Sequence, residues 1–185
     1  MTIRIILPFY WIAATLILML SECNDSSQSR VVLNHEFSFT LPFIYEANSE
    51  LLDVVHEVNS DVIGFYLLDL KDIPNTTMTV SCYIASVPMT LHDAFLKETV
   101  PAKPDNLGSL SNDYKLISFD HYTKSGKSLY LKVSSPMSGI CNVMYYFMKN
   151  NYDKSMYEIK VAGNEADQAI LKNLAEKLAM TVVLL

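Results

Sequence analysis

Phe37, Phe39 and Leu41 alternate with polar residues in His35-Glu36-Phe37-Ser38-Phe39-Thr40-Leu41-Pro42, which predicts a half-buried strand stopped by proline. From Asn48 to Val58 the spacing turns helical, with Leu51, Leu52, Val54, Val55 and Val58 apolar and Asn48 or Ser49 available as a cap. Two strands follow, Val62–Leu70 and Met78–Val87, around the turn Asp72–Asn75; Val80, Cys82 and Ile84 share one face of the second. Thr90 and Asp93 frame the start of a short helix as a capping-box-like pair, and Pro101–Asp113 reads as a surface loop. From Tyr114 onward the pattern is an antiparallel meander: Lys115–Tyr122, a tight turn at Lys124–Lys127, Ser128–Ser134 with Leu129, Leu131 and Val133 inward, the nearly continuous apolar run Ile140–Met148, and Ser155–Val161. Gly163 and Asn164 close the sheet and open a helix over 165–178, with Ala166, Ile170, Leu174 and Leu178 on one stripe flanked by Ala169 and Leu171.

The fold expected is therefore α+β, an antiparallel sheet of about six to seven strands covered by helices, with the helix 165–178 packed across it. No repeat and no second-domain boundary interrupts residues 31–185, which are enough for one domain with its own core. Tyrosine (11) and phenylalanine (8) are plentiful, which suits strands better than a helical bundle.

Ahead of this domain, the single base Arg4 precedes an uncharged, mostly apolar run of 16 residues, Ile5–Leu20. A spanning helix needs about 20 apolar residues, so residues 1–22 read as a secretory signal peptide, with an uncleaved anchor as the alternative. Residues 23–30 form a polar tether. Cys23 stands where a bacterial lipoprotein signal places its lipidated cysteine; Leu20 and Ser21 match that pattern, but Glu22 is bulky and charged where a small residue is the rule. Cys23 is thus either a lipidation site or a residue lying beside a cut. Cys82 and Cys141 then remain as an even pair, and the sequence leaves a disulfide and two free thiols equally open. The expected location is outside the cytoplasm, periplasmic or held at the membrane by the leader or its lipid.

Charge narrows the partners. The net charge of -6 is unchanged by loss of residues 1–22, which removes Arg4 and Glu22 together. An acidic surface argues against nucleic acid and against polybasic attachment to anionic lipid. Candidate chemistry is thin. Thr123–Ser128 ends in Gly-Lys-Ser, but His121 holds the place of the earlier glycine, and Leu129–Val133 alternates as a strand where a phosphate loop needs a helix. His35, His56, His92 and His121 are scattered, and Asp120 and His121 point to opposite faces of a strand, so neither a metal site nor a cofactor site is expected. No Gly-x-Ser-x-Gly elbow is present. Asn24 and Asn75 fit the glycosylation sequon, and Tyr145-Tyr146-Phe147 reads as core of a central strand.

The element order resembles the PsbP-like fold. The resemblance runs over roughly residues 35–183, through FSFTLPF, VIGFYLLDL with MTVSCYIASV, TLHDAF, LYLKVSS with NVMYYFMKNN, and YEIKVAGNEADQAILKNLAEKLAMTVVL. The chain departs from that pattern in lacking a tryptophan after Pro42, Tyr45 being the nearest aromatic, and in the helical stretch Asn48–Val58. The fold is shared by the extrinsic PsbP subunit of photosystem II, a Ran-binding import factor and many exported bacterial proteins. It implies no common catalytic set, and fold alone does not give function. The expectation is a non-enzymatic binding or accessory domain of the cell envelope with a protein partner. A small-molecule or lipid carrier using the sheet–helix interface is the alternative, and a hydrolase with scattered catalytic residues ranks last.

Overall fold

The computed structural model describes residues 29–33, 35, 37–41, 45–68, 73–99, 115–124 and 127–185. Residues 1–22, read as a signal peptide, together with Cys23, Asn24 and the expected loop 101–113, lie outside the described residues. In chain order the elements are β1 (Ser29–Leu33), β2 (Phe37–Leu41), β3 (Tyr45–Ala47), α1 (Ser49–Val58), β4 (Val62–Leu68), β5 (Thr76–Thr90), α2 (Leu91–Thr99), β6 (Lys115–Lys124), β7 (Lys127–Ser135), β8 (Ile140–Met148), β9 (Tyr152–Asn164), a 3₁₀ turn at Glu165–Asp167, α3 (Gln168–Thr181) and β10 (Val183–Leu184). Every pairing is antiparallel. Seven strands make the main sheet in the order β3-β4-β5-β9-β8-β7-β6, and β1, β2 and β10 make a small sheet in the order β1-β2-β10.

The apolar run of β8 is explained by burial on both faces. Cys141, Val143, Tyr145 and Phe147 point into the larger core cluster, and Met144 and Tyr146 into a second one. Over the first face lie α3 and the small sheet. Phe37 stacks on Tyr157 with ring centroids 5.3 Å apart, and Phe39 meets Tyr66 edge-on at 5.9 Å. Gly64 makes room there: a Cβ on it would stand 3.0 Å from Leu33 and from the Tyr66 ring. The hydroxyl of Thr181, at the end of α3, accepts from the N–H of Thr40 at 2.9 Å and lies 3.1 Å from its carbonyl oxygen, so helix and strand are joined at that point. β10 then pairs with β2, Val183 opposite Ser38. Over the second face lies α2, against β5, β7, β8 and β9. Asn48 caps α1 through a 2.8 Å bond from the N–H of Leu51, and this helix rests on β4 without burying any residue.

Several boundaries differ from the sequence expectation. Ser29 and Arg30, assigned to the tether, open β1, where Arg30 donates to the Ser38 hydroxyl at 3.1 Å. His35 belongs to the hairpin turn, with φ 57°, and the strand starts at Phe37. β5 runs through Pro88 to Thr90. The C-terminal helix buries Leu174, Leu178 and the flanking Leu171 as expected, but its stripe extends to Ala175 and Ala179, while Ala166 and Ala169 are exposed and Ile170 is 48% exposed. The α-helix itself begins at Gln168, after a 3₁₀ turn that carries Ala166.

Cys82 and Cys141 are not bridged to each other. They sit on β5 and β8, on either side of β9, with Cys82 opposite Tyr157 and Cys141 opposite Gly163. Six residues along a strand is roughly 20 Å at about 3.3 Å per residue, whereas a bridge needs Cα atoms within about 7 Å. The disulfide alternative therefore fails on geometry. Burial, and after it the charge of Glu165, pushes the Cys141 thiol above its ordinary pKa, so it stays protonated and inert.

The buried stripe is testable by denaturant unfolding. Leu178→Ala, at a fully buried site, is expected to cost about 2–5 kcal/mol. Ile170→Ala, at the position the periodicity favoured, is expected to stay within about 0.5 kcal/mol.

Candidate functional site

Two surface features stand out, one polar and one apolar, and both flank α2. The polar one starts from a cap. The Thr90 hydroxyl accepts from the N–H of Asp93 at 3.1 Å and donates to the Asp93 carboxylate at 2.7 Å, which fixes the first turn of α2. His92 is thereby held over β7, where its Nδ1 lies 3.0 Å from the Tyr130 hydroxyl. From the other side comes His121 on β6. The hairpin pairs Lys124 with Lys127, so His121 faces Tyr130 directly, and the two rings stack at 4.2 Å and 20°. His121 Nε2 lies 2.9 Å from the Ser128 hydroxyl, one diagonal step along the same hairpin.

Tyr130 is thus a buried phenol between two exposed imidazoles, backed by Phe95 at 4.8 Å. Burial raises its pKa above the ordinary value and the carboxylate of Asp93 adds to the rise, so the hydroxyl keeps its proton near neutrality and can donate to His92. The turn Lys149–Asn151 closes the far side. There Asn150 donates to Asp153 at 2.9 Å, the N–H of Lys154 donates to it at 2.7 Å, and together with the nearby Lys149 charge these lower the Asp153 pKa. The result is a cleft of about 460 Å³ that also reaches Val182 and Leu184 at the end of the chain.

The histidines are scattered in the sequence, but two of them meet in space. His92 and His121, 29 positions apart in the sequence, converge on one tyrosine, whereas His56 bonds the Val62 carbonyl and His35 lies in its turn. The tight turn at Lys124–Lys127 held the clue, because its register alone sets His121 opposite Tyr130. The Ser128–His121 pair has the spacing of a nucleophile and its base. It lacks the orienting acid: none of the described carboxylates bonds His121, and Asp120 points to the other face of β6. Among the described residues no group of three or more His, Cys, Asp or Glu is placed to hold a metal ion.

The apolar feature is the far half of β5. Its ladder with β4 ends at Ser81, where the N–H of Cys82 bonds the Asp61 carbonyl. Its ladder with β9 breaks between Ile84 and Met89. Beyond Cys82 no strand among the described residues flanks it on the β4 side. Ile84 is 75% exposed and Val87 57% exposed. Beneath Ile84 opens a cleft of about 320 Å³ lined by Met89, Met148 and Met156, with Asp61 and Lys154 also on its wall.

Neither a family model nor any curated protein sequence matches the chain. Solved structures do. Cyanobacterial PsbP (CyanoP) from Synechocystis aligns with 86% of this chain and 94% of its own, at a TM-score of 0.58 and 12% identity. The chain has the PsbP-like fold. Two further structures align less closely. The Ran-binding protein Mog1p of Saccharomyces cerevisiae covers 85% of this chain and 95% of its own, at 13% identity and a TM-score of 0.49. LpqN, involved in cell envelope biogenesis of Mycobacterium tuberculosis, covers 86% of each chain at 10% identity and a TM-score of 0.45. No helix among the described residues is long and apolar enough to cross a membrane.

The electrostatics of Tyr130 can be checked by alkaline titration of the wild-type protein against Tyr130→Phe. The difference is expected to place this phenol above ordinary tyrosine. Asp93→Asn is expected to lower it only part of the way, since burial is the larger cause.

Proposed function

We propose that the chain is an exported, membrane-tethered domain of the cell envelope that binds a protein partner and catalyses no reaction itself. The observation that carries this reading is the far half of β5. A strand that leaves its neighbour, exposes Ile84 and Val87, and overlies a methionine-lined cleft offers a partner both backbone and apolar surface. Methionine side chains adapt to different shapes, so the cleft suits an apolar side chain inserted from outside.

Two further features support the reading. The sheet–α3 interface is filled by Leu171, Leu174, Ala175 and Leu178 against β8 and β9, which leaves the carrier alternative without its internal pocket among the described residues. Ser128 and His121 lack a third catalytic group there, so the hydrolase reading has no complete set. Export and tethering rest on the apolar run Ile5–Leu20 and on Cys23.

The test has two arms. Intact-mass analysis of the protein from membranes of its native host is expected to give a chain that starts at Cys23 and carries acyl groups; a soluble, unmodified species sinks the tether. Cross-linking in the same cells, repeated with Ile84→Asp and Val87→Asp, is expected to lose the partner bound by the wild type. A central apolar contact is worth about 2 kcal/mol or more, roughly a thirtyfold loss of affinity. Both positions are exposed, so thermal stability is expected to hold. Undiminished capture by both variants removes this face from the proposal.

A further inference from the structure

The polar cleft around Tyr130 shares Met148 with the cleft beneath Ile84 but has a chemistry of its own. Its described lining contains no aspartate and no glutamate, in a chain of net charge -6. It does contain His92, His121 and Lys149, together with the hydroxyls of Thr90, Ser128 and Tyr130. Each imidazole uses one nitrogen internally, His92 Nδ1 on Tyr130 and His121 Nε2 on Ser128. The other nitrogen of each ring, His92 Nε2 and His121 Nδ1, has no partner among the described residues. With the Tyr130 hydroxyl donating to Nδ1 of His92, Nε2 of that ring carries the hydrogen and becomes a donor. The other part of the lining is apolar, including Met148, Val182 and Leu184.

We propose that this cleft binds a small amphiphilic anion, a carboxylate or phosphate ester whose charged head meets His92 and His121 and whose short apolar tail lies against Met148, Val182 and Leu184. The volume of about 460 Å³ lies within the range of small-molecule sites, roughly 300–1,000 Å³. The acids nearest the head among the described residues are Asp93, Asp153 and Asp120. Asp93 is engaged with Thr90 at the helix cap, Asp153 with Asn150 and the turn, and Asp120 points to the opposite face of its strand. Lys149 is engaged with the main-chain oxygen of Leu185, and the two imidazoles provide the direct contacts. An anion is favoured over a neutral ligand because a charge-assisted hydrogen bond is about twice as strong as a neutral one.

The experiment titrates hexanoate, hexyl phosphate, hexan-1-ol and inorganic phosphate into the full chain, following the histidine ring signals by NMR. Saturable binding of at least one hexyl anion is expected, about tenfold or more tighter than hexan-1-ol, with shifts on His92 and His121; whichever anion binds tighter identifies the head group. His92→Phe and His121→Phe retain a ring beside Tyr130. Each is expected to weaken binding about fivefold or more and the double variant to abolish it. Because both residues are exposed, the variants are expected to keep the wild-type melting profile. Absence of saturation by either hexyl anion overturns the proposal. So does equal binding of hexan-1-ol, or anion binding that survives in the double variant. Inorganic phosphate binding as tightly as hexyl phosphate overturns the apolar half of the assignment.

Discussion

The interior strands of the main sheet carry apolar side chains on both faces, and that single fact obliges the fold to cover the sheet twice. β8 is the clearest instance, with Tyr145 and Phe147 entering one cluster while Tyr146 and Met144 enter the other. Leaving either face in water would forfeit about 25 cal/mol for each Å² of apolar surface. The two covers are unequal. The first is broad, a helix of 14 residues beside a three-stranded sheet. The second includes α2, only 9 residues and about 13 Å long at 1.5 Å per residue. Among the described residues, the two clefts described above adjoin this short helix. The structure's candidate binding surfaces are thus a by-product of unequal covering.

Much of the architecture was legible because local pattern and tertiary context agree. β7 and β8 alternate or run apolar as their positions in the sheet require, and the caps at Asn48 and Thr90 form as residue type suggests. Legibility failed where a neighbour far away in sequence decides. Val183 and Leu184 carry no strand signal of their own; they become a strand because β2 offers them an edge. Pro88 reads as a stop, yet β5 continues through it, since no β4 partner there asks for its missing N–H. In α3, Ile170 falls at the exposed edge of a stripe that runs through Leu171, Leu174 and Leu178, an edge set by how the helix lies on β8 and β9.

The same reasoning explains why the histidine cluster was hidden. His92 reaches Tyr130 from a helix and His121 from a strand, so no spacing rule for metal or catalytic motifs connects them. Register within the hairpin does connect His121 with Tyr130. The placement of α2 does not follow from any local pattern, because it depends on Phe95 finding Tyr130 and Tyr146 on the sheet.

The join between Thr181 and Thr40 spans 141 positions. Until residues 168–184 are available, Phe37, Phe39 and Leu41 lack the helix and the β10 edge that enclose them. Closure of this core is therefore late with respect to synthesis. A nascent chain of this kind remains unfolded for most of the time its amino end is already exposed. That delay suits the export we propose, because a chain that has not yet closed its core can still be threaded.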